Sequence, residues 1–289
     1  MHTILKSATK DVVVGIDQPF VIIGEKINPT GHKKLAVALT EGNLDYVHQL
    51  AERQVAWGAN VLDVNVGVPG LDEVVMISKV VELVASVVDV PLCLDSGNPA
   101  VLAAGLAAAP GKPLVNSVSG EEKRLESVLP IVKDRGAAVI GLAMDDKGIP
   151  KTAEERVAVA EKILERAAQL GIPAEDVLID PLVLTVGSDS QAAMVTLQTI
   201  ELVRKAFGVN INLGASNVSF GLPDRLSVNQ AFLAMAIQAG ATCSITDPTK
   251  LGTTVKSVDL LLGRDDYAMR FIKYFRASES LREKENKAV

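Results

Sequence analysis

Eight short apolar or β-branched runs recur along the chain, at 20–27, 61–67, 91–96, 113–119, 137–144, 177–184, 210–217 and 243–248. Each is followed by a segment of helical character, at about 43–58, 71–88, 98–109, 121–134, 153–170, 191–206, 225–239 and 252–262, with Leu, Ala and Val at helical spacing and Glu, Lys and Arg on the other face. Strict alternation of strand and helix implies parallel strands, because parallel neighbours need a crossover connection. Eight such units are expected to close into an α/β fold of the (β/α)8 TIM-barrel type. The 289 residues suit a single domain of that kind, for which about 250 is typical. An open doubly wound sheet is the alternative, and the lack of a Gly-x-Gly-x-x-Gly turn after any strand counts against it.

The barrel is assigned to residues 20–276. Ahead of it, VVVGI (12–16) reads as an extra strand and Asp17-Gln18-Pro19 as a turn, so 1–19 form an extension, read as a hairpin over the barrel bottom. After a last helical stretch near 265–276, residues 277–289 form a polar tail with little apolar surface to offset its ordering entropy.

Apolar residues make up 48% of the chain, but in runs well short of the ~18 that a membrane span requires, so no membrane association is expected. The first twenty residues hold no continuous apolar segment of signal-peptide length, and a cytoplasmic location is expected. Net charge is −6 and the basic residues are scattered, which argues against nucleic acid as a partner. Cys93 and Cys243 each sit in an apolar run, and His2, His32 and His48 share no ligand spacing, so no disulfide framework and no His- or Cys-based metal site is expected.

In such barrels the chemistry lies at the C-terminal ends of the strands. Those ends are polar here: Glu25 and Asn28, Asp63 and Asn65, Asp95 and Ser96, Asn116 and Ser117, Asp145 and Asp146, Asp180, Ser216 and Asn217, and Asp247. Any one of them can serve as a helix N-cap. Together they form a mouth of carboxylates and carboxamides with few cations, which suits a neutral ligand rich in N–H donors better than a phosphate ester. A 2-amino-4-oxo-pteridine is such a ligand, since one carboxylate accepts from its 2-amino and N3–H groups side by side and Asn matches adjacent donor and acceptor positions. A Mg²⁺ or Mn²⁺ site is the competing reading of the same carboxylates.

The stretches IIGEKIN (22–28), GANVLDVNVG (58–67), LCLDS (92–96), VNS (115–117), GAAVIGLAM with GIP (136–150), LIDPL (178–182), SNVSFG (216–221) and FLAMA (232–236) follow one another through the barrel elements. In this series the chain resembles the methyltetrahydrofolate:corrinoid methyltransferases, a pterin-binding family related to dihydropteroate synthase and to the folate domain of cobalamin-dependent methionine synthase. The resemblance implies tetrahydrofolate or 5-methyltetrahydrofolate as substrate or product, and methyl transfer between its N5 and the cobalt of a corrinoid, in either direction. It implies that Asp95, Asn116 and Asp180 anchor the pterin, that Asn217 reaches N5, and that Arg225 meets the benzoyl-glutamate end. Glu25, Asp63, Asn65 and Ser219 lie in matching stretches, where bracing the mouth and touching the ligand are both open. Phe220 and the Asp145-Asp146-Lys147 segment depart from the family pattern, which leaves roles there unassigned.

Methyl transfer from N5 is limited by the leaving group, because a neutral tertiary amine departs poorly unless N5 is protonated or strongly hydrogen-bonded. An Asn amide donates to neutral N5 or accepts from protonated N5–H, so Asn217 can follow the charge without being the acid. Asp95 is a candidate proton source. No Asp-x-His-x-x-Gly cobalt-ligating motif is present, so a separate corrinoid protein is expected to dock over the mouth. Family resemblance also implies a homodimer. A dihydropteroate-synthase-like condensing enzyme is disfavoured by the missing Lys and Ser-x-Arg pattern near strands 7 and 8, and a non-catalytic folate-binding protein remains the other alternative.

Overall fold

The computed structural model describes residues 1–287. Strands β1 (Thr3–Lys6) and β2 (Asp11–Val14) pair antiparallel as a hairpin, so the extra strand expected at 12–16 has a partner that hydropathy did not single out. Strands β3 (Val21–Ile27), β4 (Val61–Val64), β5 (Leu92–Asp95), β6 (Leu114–Ser119), β7 (Ala138–Leu142), β8 (Val177–Asp180) and β9 (Cys243–Thr246) form one parallel sheet in the order β8-β7-β6-β5-β4-β3-β9. Every residue of β4 and β8 is buried, as befits a parallel sheet covered on both faces.

Side chains alternate between the two faces along each strand, and the core divides accordingly. Val21, Ile23, Val61, Cys93, Leu114, Ala138, Ile140, Leu178 and Cys243 form one buried cluster, enclosed by the curl of the sheet. Leu5 and Val14 of the hairpin join it. The hairpin lies where strands begin: the Lys6 N–H donates to Lys112 O at 2.9 Å, and Asn210 Nδ2 donates to Val14 O at 2.9 Å and to Thr3 Oγ1 at 2.9 Å. Ile22, Leu62, Leu94, Val115, Val139 and Ile179 face the other way, into the layer between sheet and helices.

The helices are α1 (Lys33–Thr40), α2 (Asp45–Ala56), α3 (Glu73–Val87), α4 (Pro99–Ala108), α5 (Glu122–Arg135), α6 (Ala153–Gln169), α7 (Ala192–Phe207), α8 (Arg225–Ala239), α9 (Pro248–Leu261) and α10 (Met269–Lys287). Helix α1 is additional to the expected set, although Leu35, Ala38 and Leu39 carry the i, i+3, i+4 spacing and are buried. Helix α9 begins at Pro248, four residues earlier than expected, because Asp247 caps it by accepting the Thr249 N–H at 3.0 Å and proline is favoured in the first turn. The polar stretch expected as a tail continues α10 as far as Lys287, and Glu285 accepts hydrogen bonds from Arg53 Nε at 2.7 Å and Trp57 Nε1 at 3.2 Å. Of the tail 277–289, residues 288–289 lie outside the described residues.

The run expected as the seventh strand, 210–217, departs from a regular strand. Residues 210–214 make only isolated parallel bridges, Ile179 to Ile211 and Gly214 to Ile245, and residues Ala215–Ser219 turn into a 3-10 helix. The segment nevertheless bonds both edges of the sheet: Asn212 N–H to Ile179 O at 3.0 Å on one side, Ile245 N–H to Leu213 O at 2.9 Å on the other. Asn and Gly are poor ladder residues, and this segment contains Asn210, Asn212 and Gly214. Among the described residues no helix is long and apolar enough to cross a membrane.

Candidate functional site

The same alternation that fills the interior of the sheet decides which polar groups face into it at the far end. Two residues beyond the inward-facing Ile23, Val61, Cys93, Leu114 and Leu178 stand Glu25, Asp63, Asp95, Asn116 and Asp180. Glu25, Asp63, Asp95 and Asn116 line a cavity of about 620 Å³, with Asn28 and Lys26 beside them. Asn116 Nδ2 donates to Asp63 Oδ1 at 3.2 Å, while Asp95 Oδ2 accepts from Asn65 Nδ2 at 3.0 Å and from Asn28 Nδ2 at 3.3 Å. Asn65 thus braces Asp95. Burial, reinforced by the negative charge of Asp95, pushes the Asp63 carboxyl up to about 8, and burial also raises Asp95 against the opposing hydrogen bond from Asn65.

Asp180 is buried and lines neither this cavity nor its neighbour. Its Oδ2 accepts from Asn212 Nδ2 at 2.8 Å and its Oδ1 from the Leu182 N–H at 2.9 Å. Burial raises it to about 6 against those two hydrogen bonds and the charge of Arg156.

The neighbouring cavity, of about 250 Å³, shares Glu25 and Lys26 with the first and adds Ser216, Arg225, Asn229 and Lys250. The mouth therefore holds more positive charge than its strand ends suggested, since Lys26, Arg53, Arg225 and Lys250 all line it. Lys26 bonds Asp247 Oδ2 at 2.9 Å and Glu25 Oε1 at 3.4 Å. Burial disfavours its charge, but Asp247 and then Glu25 outweigh that and hold the ammonium above its ordinary value. Asp247, a strand-end carboxylate, is thereby spent on an ion pair and a helix cap.

Asn217 is exposed on the 3-10 helix at the rim, with its N–H bonded to Gly214 O at 3.2 Å, and among the described residues its carboxamide takes no hydrogen bond from protein. Arg225 turns back to this helix: Nη2 donates to Ser216 O at 2.8 Å and Nε to Ser219 Oγ at 3.1 Å, with Phe220 under the guanidinium at 5.5 Å from the ring centroid. Ser219 is buried beneath the turn, where it braces rather than faces the cavity. Asp145 and Asp146 serve local structure: Asp145 closes a turn with Gly148, and Asp146 Oδ2 accepts the Glu122 N–H at 3.3 Å. Among the described residues no cluster of three His, Cys, Asp or Glu side chains is arranged to hold a metal ion.

The sequence profile of the pterin binding enzymes matches residues 24–247. The chain is a pterin-binding enzyme. Within that family it is 30% identical over 264 residues to a methylcorrinoid:tetrahydrofolate methyltransferase of Eubacterium limosum, covering 89% of this chain and 96% of the relative. It is 31% identical over 248 residues to methionine synthase of Mycobacterium tuberculosis, which covers 81% of this chain but only 21% of that longer protein. Dihydropteroate synthase of Vibrio fischeri superposes with a TM-score of 0.70 over 91% of this chain and 99% of its own, at 17% identity. That of Yersinia pestis superposes with a TM-score of 0.69 over 91% and 100%, at 19% identity. At such identity the structural likeness is one of fold.

Several polar groups of this pterin-binding enzyme, Arg53, Asn229 and Lys250 of the cavity linings among them, are not singled out by the sequence as site residues. Lys26 lies in a matching stretch but reads as the solvent side of a strand, Asn212 was hidden in a run taken for an ordinary strand, and Arg156 reads as one more charge on an amphipathic helix. The raised Asp63 carboxyl has a consequence for stability. Its folded pKa lies above the unfolded value of about 4, so its contribution is fully present below that pH and is lost as pH rises through about 8. Asp63→Asn, which keeps an acceptor for Asn116 but cannot ionise, should gain on the wild type between about pH 5 and 9, by a relative shift on the order of 5 °C in Tm. Thermal unfolding of both proteins across that range is the check, and parallel Tm curves would mean that Asp63 carries no such proton.

Proposed function

We propose that this chain is a methyltransferase moving a methyl group between N5 of tetrahydrofolate and the cobalt of a corrinoid held by a separate protein. The reading takes 20–276 as one closed (β/α)8 barrel in which 210–214 serves as the seventh strand, with 1–19 as an extension across its bottom and 277–289 as a C-terminal tail. The observation that carries it is the cavity lined by Asp95 and Asn116 at one end of the sheet, with Asp180 buried two residues beyond the inward-facing Leu178 and Asn217 exposed, its carboxamide without a hydrogen-bond partner among the described residues.

Asp180 keeps a lone pair on each oxygen after its bonds to Asn212 and Leu182, enough for the 2-amino and N3–H donors of a pterin. Asn116 and Asp95 supply the remaining acceptors and donors. The cation-bearing cavity around Arg225 and Lys250 suits the benzoyl-glutamate carboxylates; Arg225 spends Nε and Nη2 on the turn and keeps Nη1 for such a contact. Asn217 donates to neutral N5 or accepts from protonated N5–H as charge develops. Asp95, a carboxyl that burial biases toward its protonated form, is the candidate source of that proton. The docked corrinoid supplies the cobalt that gives or takes the methyl. Family resemblance adds a homodimer, and a cytoplasmic setting fits the substrates.

The purified protein should bind tetrahydrofolate after exhaustive chelation, because Asp and Asn side chains satisfy the ring directly, and should exchange methyl groups with free cob(I)alamin. Titration calorimetry and the cobalt spectrum are the measurements. Binding lost on chelation and restored only by Mg²⁺ or Mn²⁺ would favour a metal site, and binding without any methyl exchange would favour a folate-binding protein without catalysis.

A further inference from the structure

Arg156 sits near the start of α6, a helix whose entry is set by a capping box: Thr152 Oγ1 accepts the Glu155 N–H at 3.3 Å and Glu155 accepts the Thr152 N–H at 3.2 Å. It is 2% exposed, an unusual position for a guanidinium, since burying a charge is costly unless its donors are met. Among the described residues it has no carboxylate within ion-pair distance. Its partners are main-chain carbonyls instead: Nε donates to Pro150 O at 3.0 Å, and Nη1 to Pro181 O at 2.7 Å and Leu182 O at 2.8 Å.

Two of those carbonyls belong to the residues that immediately follow Asp180. Leu182 has a φ of 63°, in the left-handed region that a branched side chain rarely adopts, so the surrounding structure must hold it there. In that conformation its N–H donates to Asp180 Oδ1 at 2.9 Å. A continuous path therefore runs from the α6 guanidinium through the carbonyls of residues 181 and 182 to the N–H that orients the carboxylate. Thr196 Oγ1 of α7 adds a bond to Leu182 O at 3.1 Å, but brings no charge.

The groups that act on Asp180 from each side can be named. Asn212 donates from the 210–214 segment, the Leu182 N–H donates from its own loop, and the buried Cys243 thiol of β9 is held neutral by burial and by the negative charge of Asp180. Arg156 is the charged group that favours the carboxylate.

We propose that Arg156 is a positioning residue of the pterin site, clamping the Pro181 and Leu182 carbonyls so that Asp180 is held in the orientation that meets the ligand. The inference rests on the reading of Asp180 as the pterin anchor. Arg156 touches no ligand, and a guanidinium suits this place because one planar fork reaches carbonyls on two loops at once, where an ammonium cannot.

The experiment measures tetrahydrofolate affinity by calorimetry from about pH 5 to 9 for wild type, Asp180→Asn, Arg156→Met and Arg156→Lys, with folding checked by circular dichroism. Wild-type affinity should fall on the acid side as Asp180 takes up a proton, and Asp180→Asn should lose that component, keeping only what Asp95 contributes. Arg156→Met should bind about 10-fold more weakly at neutral pH and move the acid limb upward by roughly one pH unit, because the favourable charge is gone. Arg156→Lys should return the limb to within a few tenths of a unit of wild type while recovering only part of the affinity. No binding by wild type, or a limb in Asp180→Asn with the same midpoint and depth as in wild type, would sink the anchor reading itself. A wild-type limb that Asp180→Asn reduces, with a folded Arg156→Met of unchanged affinity and midpoint, would overturn the role of Arg156 alone. If Arg156→Met does not fold, Arg156→Lys decides: a preserved midpoint with weakened binding supports the clamp. Full affinity in the Lys variant, or its failure to fold, would make Arg156 a residue of folding only.

Discussion

Replacing Asn217 with Ala should lower kcat for methyl transfer by roughly 10²–10³-fold while the pterin Kd moves by only a few fold. The asymmetry follows from where the side chain stands. Asn217 is exposed on a 3-10 helix at the rim, and among the described residues its carboxamide is not engaged by protein, so it adds little to ground-state order. A hydrogen bond from it to N5, as proposed, would gain strength only as charge develops there, and an interaction stronger in the transition state than in the bound substrate appears in kcat rather than in affinity. The turn that presents it is held from elsewhere, by Arg225 on Ser216 O and Ser219 Oγ, so the Ala variant should keep its geometry. Single-turnover methyl transfer at saturating pterin, followed by the cobalt spectrum, gives the rate, with Kd measured separately on the same variant. Equal losses in rate and affinity would make Asn217 an anchor, and N5 would need another partner.

Asp180→Ala should show the opposite balance, weakening pterin binding by roughly 30-fold or more, which corresponds to about 2–4 kcal/mol for paired ligand donors left without an acceptor. Removing the carboxylate also strands protein groups, because Asn212 Nδ2 and the Leu182 N–H both lose their partner. Some loss of Tm should therefore accompany the loss of affinity, and binding must be compared on folded protein. Calorimetry together with the kcat and KM split on the folded variant is the measurement. A folded Asp180→Ala that binds the pterin like wild type would remove this residue from the site.

The strand positions were legible because parallel strands buried on two faces carry apolar runs that stand out from amphipathic helices. All seven sheet strands fall within or at the ends of runs read from hydropathy. Polar strand ends were legible for the same reason: Asp63, Asp95 and Asp180 each follow an apolar residue by two positions, so the period of the strand alone turns them inward. Helix α1 was missed although its spacing is present, because eight residues after a Pro-Thr-Gly-His stretch read as loop. The 210–217 run reads as a regular strand, because its apolar content masks the two Asn side chains that turn to the hairpin and to Asp180.

What the sequence by itself determined is which face of each strand a residue occupies, since alternation depends on neighbours along the chain. It thereby set the alternation of β and α, the polar ring and the family motifs that run through it. What only the tertiary structure decided is which groups meet: Lys26 with Asp247, Asn65 with Asp95, Asn212 with Asp180, and Arg156 with the carbonyls behind Asp180. Those pairs join residues tens to hundreds of positions apart. Their geometry depends on the curl of the sheet, the register between strands and the entry points of the helices, which the whole chain settles at once.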